Sequence, residues 1–332
     1  MQKNQQPIYG SHGSRSAASA GAPNEEACLS TSGIKTGRVL QAFGNRFIVQ
    51  AADGTYDCGI RGIFRLSAKR QSSPVVVGDR VKFVVAEPPY GTIEEIAERR
   101  NKLSRPDVDN PDFEQVIVAN IEQLIVVTSV DKPRLKLGAI DRFLLAAERC
   151  NMDGRVCINK IDLGPIEKHR RAMEIYRAAG YPVVACSALT GQGMEGVRRM
   201  VQYHVSLVAG HSGVGKSTII NALQPGLSIK TAEISAATGK GVHTTTAVQL
   251  HPLDFGGYIA DAPGLREVGL WEIQPGELAE LYPEMRRLGG NCRFRNCVHI
   301  GEPGCAIKDA VARGELAPER YEGYTRIFKS LS

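Results

Sequence analysis

The chain has 332 residues, 42% of them apolar, and its 41 Lys and Arg against 35 Asp and Glu leave a net charge of +6. That length supports two or three domains with their own cores, and the mild basicity permits a polyanionic partner without demanding one. No apolar run approaches 18 residues and no long hydrophobic segment opens the chain, which argues against a membrane span, a membrane partner or a secretory signal and leads us to expect a cytoplasmic protein.

Residues 1–32 are rich in Gln, Ser, Ala and Gly with almost no apolar content, the composition of a disordered tail. An organellar transit peptide is the sharper reading, because the first 24 residues hold no acid; only Lys3 and Arg15 supply its cations.

From residue 33 to 101 the pattern becomes short alternating segments. Strands are predicted over 37–40, 46–50, 55–58 and 80–85, separated by Gly, Asn and Asp turns. Five or so short strands in under 70 residues suggest a small barrel of the OB-fold type. This stretch carries 11 Lys and Arg against 7 Asp and Glu, a net of +4, with an aromatic among cations at Arg61-Gly62-Ile63-Phe64-Arg65. Basic grooves with stacking rings bind nucleic acid; a solvated charged face explains the same residues.

Residues 101–113, with two prolines, three aspartates and two asparagines, read as a linker. Beyond them strands predicted at 123–128, 156–158, 182–186, 203–209 and 257–260 alternate with helices at 139–149, 167–179, 194–202 and 218–223. Continuous apolar strands interleaved with helices mean a parallel α/β sheet, here spanning 102–270. Residues 271–332 then read as a helical domain, with helices over 276–288, 302–313 and 318–329.

The chemistry begins at Gly210-His211-Ser212-Gly213-Val214-Gly215-Lys216-Ser217, which fits G-x-x-x-x-G-K-[ST] between a strand and a helix opening at Thr218. Its glycines let backbone N–H groups converge on phosphate oxygens at a helix N-terminus. Lys216 would reach the β- and γ-phosphates, and the Ser217 hydroxyl would ligate Mg²⁺.

Asn159-Lys160-Ile161-Asp162 follows the strand at 156–158 and fits N-K-x-D, the guanine-reading pattern. Asp162 would accept from guanine N1–H and the 2-amino group, Lys160 would lie along the base, and Asn159 would brace the phosphate loop. Adenine would leave that carboxylate unpaired, at a cost of about 1–3 kcal/mol or more. Asp162 therefore argues against an ATPase. Ser187-Ala188 ends the next strand, where the Ala188 N–H could meet guanine O6.

Asp261 and Gly264 form the D-x-x-G that ends a further strand, on the Mg²⁺ side. Gly264 would sense the γ-phosphate. Upstream, His243-Thr244-Thr245 lie in a Gly- and hydroxyl-rich stretch suited to a switch that orders when Thr244 or Thr245 meets Mg²⁺. Leu265 stands where a water-orienting glutamine often follows, so unaided hydrolysis should be slow. His243 is the nearest catalytic substitute, with a solvent-facing loop histidine as the plain alternative.

Eight cysteines divide unevenly. Cys28, Cys58, Cys150, Cys157 and Cys186 are scattered singly, as small buried hydrophobes are. Cys292-x4-Cys297-x-His299-x5-Cys305 instead offers three thiolates and one imidazole, a closed set for structural Zn²⁺. Arg286, Arg287, Arg293 and Arg295 surround it with no acid between Met285 and Gly301, which makes the knuckle a candidate phosphate-backbone contact.

The order of these motifs is itself informative. Asp162 precedes Gly210 by 48 residues, the reverse of the usual GTPase order, so the sheet is circularly permuted and its switch segments fall next to the zinc segment. The ordered set, including Arg61-Gly62, resembles the small-ribosomal-subunit biogenesis GTPases of the RsgA (YjeQ) type across about 33–330. The resemblance implies a monomeric GTP phosphohydrolase with Mg²⁺-bound GTP, product GDP and one structural Zn²⁺. It also implies a small-ribosomal-subunit partner whose 16S-type rRNA meets both the barrel and the zinc domain and stimulates hydrolysis. Ala262 and Val242 depart from the family pattern, where threonine and a basic residue are usual. The rival reading is a nucleotide-gated RNA-binding scaffold in which hydrolysis only resets binding.

Overall fold

The computed structural model describes residues 33–61, 74–107, 113–227, 248–261 and 273–331. The first five strands, β1 (Ile34–Phe43), β2 (Arg46–Ala51), β3 (Gly54–Ile60), β4 (Arg80–Glu87) and β5 (Tyr90–Ile96), close into a barrel in the order β1-β2-β3-β5-β4. β1 pairs antiparallel with both β2 and β4, and β3 runs parallel to β5. This is the five-stranded Greek-key barrel of an OB-fold. Alternation drives it: in β4 Val81 and Phe83 point inward while Arg80 and Lys82 face solvent. They join Val39, Phe47, Val49, Tyr56, Cys58 and Ile93 in the barrel core.

The segment read as a linker is in part a hairpin. β6 (Lys102–Pro106) pairs antiparallel with β7 (Glu114–Ala119), with Lys102 bonded to Glu114 at 2.5 Å. Leu103, Val116 and Val118 are buried, although the prolines and aspartates of 101–113 suggested a linker. Period-two burial outweighs turn composition here.

The central sheet contains β8 (Gln123–Ser129), β9 (Asp153–Asn159), β10 (Val183–Ala185), β11 (Val205–Ala209), β12 (Gln249–Pro252) and β13 (Tyr258–Asp261). Its order is β10-β9-β8-β11-β13-β12. All neighbours are parallel except β12, an antiparallel edge strand that the sequence reading lacked. Every residue of β8 is buried, as a strand covered on both faces requires.

Alternate residues of β8 face opposite layers. Leu124 and Val126 pack with α1 (Leu137–Arg149) and α2 (Arg170–Ala178). Ile125 and Val127 pack with α3 (Met194–Val201) and α4 (Lys216–Leu223). The first of these cores continues through Val118, Leu103 and Val77 to Leu40 of the barrel. Arg38 of β1 reinforces that junction, lying over the Tyr258 ring at 5.2 Å.

The C-terminal residues form short helices: α5 (Pro283–Leu288), α6 (Ala306–Ala312) and α7 (Pro318–Leu331). The single helix expected over 276–288 is broken into a 3₁₀ segment, Pro275–Leu281, followed by α5. Pro283 is the cause, because it lacks an N–H and holds Tyr282 extended, at φ −104° and ψ 104°. The helix expected from 302 begins only at Ala306. Leu145 of α1 enters this module's core beside Tyr282 and Tyr324. Arg320 of α7, 3% exposed, bonds Asp141 of α1 at 2.5 Å and Glu284 at 2.6 Å.

Candidate functional site

The phosphate loop leaves the carboxyl end of β11, between β8 and β13, and enters α4. The crossing is too tight for side chains at two positions. Gly210 has φ +150°, and a methyl there would lie 2.2 Å from the Val127 carbonyl oxygen. Gly215 has φ +93°, and its methyl would lie 2.4 Å from Asn159 Nδ2. Only glycine fits where backbone approaches neighbours this closely at positive φ. Val214 is buried and pins the loop, whereas His211, Ser212 and Gly213 are exposed. Lys216 Nζ donates to the carbonyls of Gly210 at 3.1 Å and His211 at 3.3 Å, which folds its ammonium over the loop. Ser217 and Thr218 follow, half-buried, in the first turn of α4.

Asn159 ends β9 with 2% exposure and joins two separate segments. Its Nδ2 donates to the Val214 carbonyl at 2.9 Å, and its Oδ1 accepts the Ala188 N–H at 3.0 Å. The expected brace on the phosphate loop is present. The Ala188 N–H, expected to meet guanine O6, is instead already engaged, because the Asn159 side chain turns its acceptor towards it. Lys160 adopts the left-handed region at φ 62°, and Ile161 and Asp162 follow in a 3₁₀ turn. Asp162 Oδ1 accepts from the buried Ser187 hydroxyl at 2.5 Å, and Ser187 Oγ accepts the Thr190 N–H at 3.1 Å. The carboxylate is thus held at the rim of this corner by its neighbour strand's loop.

The sequence reading missed the turn between β8 and α1. Lys160 Nζ donates to the Lys132 carbonyl at 2.5 Å, Ser129 Oγ donates to the Pro133 carbonyl at 2.7 Å, and Pro133 sits beside Gly213. A usable signal was available: Asp131-Lys132-Pro133 is a turn at the carboxyl end of the central strand, where ligands bind open α/β sheets.

Asp261 ends β13, in register with Val208 of β11. That places it beside the start of the phosphate loop. His243, Thr244, Thr245 and Gly264, with Val242, Ala262 and Leu265, lie outside the described residues.

A second constellation lies in the C-terminal module. The ligand atoms of Cys292, Cys297, His299 and Cys305 all fall within 4.8 Å of one another. His299 Nδ1 is 3.5 Å from Cys292 Sγ and 3.4 Å from Cys305 Sγ. Tetrahedral zinc, with bonds of about 2.3 Å to sulfur and about 2.0–2.1 Å to nitrogen, sets its ligands about 3.5–3.8 Å apart. Three thiols and one imidazole in this spacing fit the ion. Burial lowers the His299 imidazole below its ordinary value, so the ring is neutral near pH 7 and has a lone pair to give.

Comparison with known proteins places the chain in one family. The model of the RsgA GTPase matches residues 96–271, and that of the RsgA N-terminal domain matches 36–93. The chain belongs to the RsgA GTPase family. It is 41% identical over 295 residues to the Small ribosomal subunit biogenesis GTPase RsgA of Gemmatimonas aurantiaca, covering 88% of this chain and 96% of the relative. A Bacteroides fragilis protein of the same name is 38% identical over 292 residues, covering 87% and 94%. The structure of YjeQ from Thermotoga maritima superposes with a TM-score of 0.76 at 36% identity, over 90% of this chain and 98% of that one. That of YloQ, described as a circularly permuted GTPase, gives 0.73 at 29% identity, over 90% and 95%. The permuted order inferred from Asp162 and Gly210 agrees with that relative.

Proposed function

We propose that this chain hydrolyses GTP in the biogenesis of the small ribosomal subunit, as a cytoplasmic monomer. The observation that carries the reading is the Asn159 bridge. One buried amide joins the phosphate loop, through Val214, to the guanine corner, through Ala188. Phosphate and base recognition are thereby parts of one geometry.

In this reading Gly210–Gly215 backbone amides and Lys216 hold the β- and γ-phosphates, and Thr218 borders them. Asp162, oriented by Ser187, accepts from guanine, with Lys160 and Ile161 flanking the base. Ser217, Asp261 and one of Thr244 and Thr245 would hold Mg²⁺, which neutralises charge on the phosphates when bound. His243 orients a water for attack on the γ-phosphorus, and the bond to the β–γ bridging oxygen breaks to give GDP and phosphate. Gly264 reports the γ-phosphate to the C-terminal module. There Cys292, Cys297, His299 and Cys305 would hold one structural Zn²⁺.

Domain limits follow: a barrel over 33–101, a permuted GTPase domain over 102–270 and a zinc module over 271–332. Barrel and zinc module both meet 16S-type rRNA. No described helix is long and apolar enough to cross a membrane. The test is turnover of GTP and of ATP with and without purified small subunits. The expected result is guanine-selective turnover that subunits accelerate. GTP-dependent subunit binding without acceleration would establish the scaffold reading, and equal ATP turnover would overturn the Asp162 assignment. His243→Ala should remove stimulated turnover while leaving GTP affinity near normal.

A further inference from the structure

Two of the four cluster ligands, Cys297 and His299, lie in one short non-helical segment. That segment is contorted: His299, a residue with a full side chain, sits at φ +61°, a conformation that persists only where surroundings impose it. Glu302 braces the amide side of this segment with its side chain. Its Oε1 accepts the Val298 N–H at 2.7 Å, and its Oε2 accepts the N–H groups of Ile300 and Gly301, both at 3.0 Å. Three backbone donors converging on one carboxylate form an anion-binding nest whose anion is covalently attached. The carbonyl side of the same segment is held from α7. Tyr324 donates to the Val298 carbonyl at 2.6 Å and Tyr321 to the His299 carbonyl at 2.8 Å.

We propose that Glu302 is a positioning residue of the metal cluster, pre-folding the Cys297–His299 segment so that Sγ and Nδ1 already face Cys292 and Cys305. It is not among the four residues whose ligand atoms cluster, and its oxygens face backbone N–H groups instead. The inference rests on the zinc reading of the cluster. Residues that order a site's ligands without touching the metal change metal affinity by about 10- to 100-fold when lost. A glutamine keeps the shape of Glu302 but has one acceptor oxygen instead of two, and its NH₂ would face an N–H.

The test uses the full chain, wild type, Glu302→Gln and Cys305→Ser. Zn²⁺ affinity is measured by chelator competition, the Co²⁺ absorption spectrum reports the ligand set, and amide exchange at Val298, Ile300 and Gly301 is measured without metal. Glu302→Gln should bind Zn²⁺ about 10- to 100-fold more weakly, keep the wild-type Co²⁺ spectrum and exchange those amides faster. Cys305→Ser should change the spectrum. Glu302→Gln with affinity within twofold of wild type overturns the proposal, and so does a changed Co²⁺ spectrum. Wild type that takes up no Zn²⁺ overturns the cluster reading itself; the amide exchange then still shows whether Glu302 orders the segment.

Discussion

The nucleotide corner and the junction between α1 and α7 are each held by one buried side chain, and they differ in charge. Asn159 is neutral, and its donor and acceptor each meet one backbone partner, Val214 and Ala188. Such a clamp is inexpensive to bury because its polar atoms are satisfied. Arg320 is one cation between two acids, Asp141 and Glu284, and all three are at most 4% exposed. Among the described residues, Asp141 Oδ2 and Glu284 Oε2 have no hydrogen-bond partner. The Tyr282 ring lies 4.5 Å from the guanidinium, and Tyr176 and Tyr181 lie at 5.5 and 5.9 Å. The neutral clamp orders two loops on a rigid sheet. The charged one fixes how a small module sits on its neighbour, and it fails badly if one member is lost.

The sharpest way to break this contrast is Arg320→Met, which strands two buried carboxylates. Urea unfolding should show a loss of about 3–5 kcal/mol, and adding Asp141→Leu with Glu284→Met should recover most of it. A loss under about 1 kcal/mol would place the junction's strength in packing instead. Next comes Asn159→Ala, which leaves the Val214 carbonyl and Ala188 N–H unpaired at about 1–3 kcal/mol. GTP affinity measured by titration should fall about 5- to 150-fold with little change in the melting temperature of the barrel.

Gly215→Ala attacks the same clamp from the other side, pressing a methyl against Asn159 Nδ2 at positive φ. It should cost about 1–3 kcal/mol, read as weaker GTP binding at unchanged guanine preference. The smallest effect belongs to the solvent-facing tie beside the Arg320 group, Arg171–Glu319 at 2.8 Å. The Arg171 guanidinium holds the Glu319 carboxyl below its ordinary value. Its contribution is therefore present above the usual carboxylate range and lost as pH falls through the depressed pKa. With both side chains over a third exposed it amounts to less than about 1 kcal/mol. Arg171→Ala should flatten that acid limb slightly, and a loss matching Arg320→Met would erase the distinction drawn here.

Legibility followed the range of the interaction. The phosphate loop, the guanine motif and the cysteine cluster were readable because each site's residues lie close in sequence at spacings dictated by phosphate, base or metal. Barrel strands were readable because β4 alternates Val81 and Phe83 with charged residues. Pairing choices were not. β12 gains its place from β13 rather than from its own four residues, and the hairpin of β6 and β7 hides behind turn-rich composition.

By itself, then, the sequence determined the chemistry on offer: a phosphate loop, an N-K-x-D motif placed ahead of it, and a Cys₃His set. Apart from the Asn159 brace on the phosphate loop, tertiary structure decided which groups hold those pieces in place. Asn159 reaches Ala188 across 29 residues, and Arg320 reaches Asp141 across 179. No local pattern encodes such bonds, because a side chain's partner is set by which strands and helices pack together. Even Glu302, three residues from His299, could not be read as a clamp until the backbone turned its amides inward.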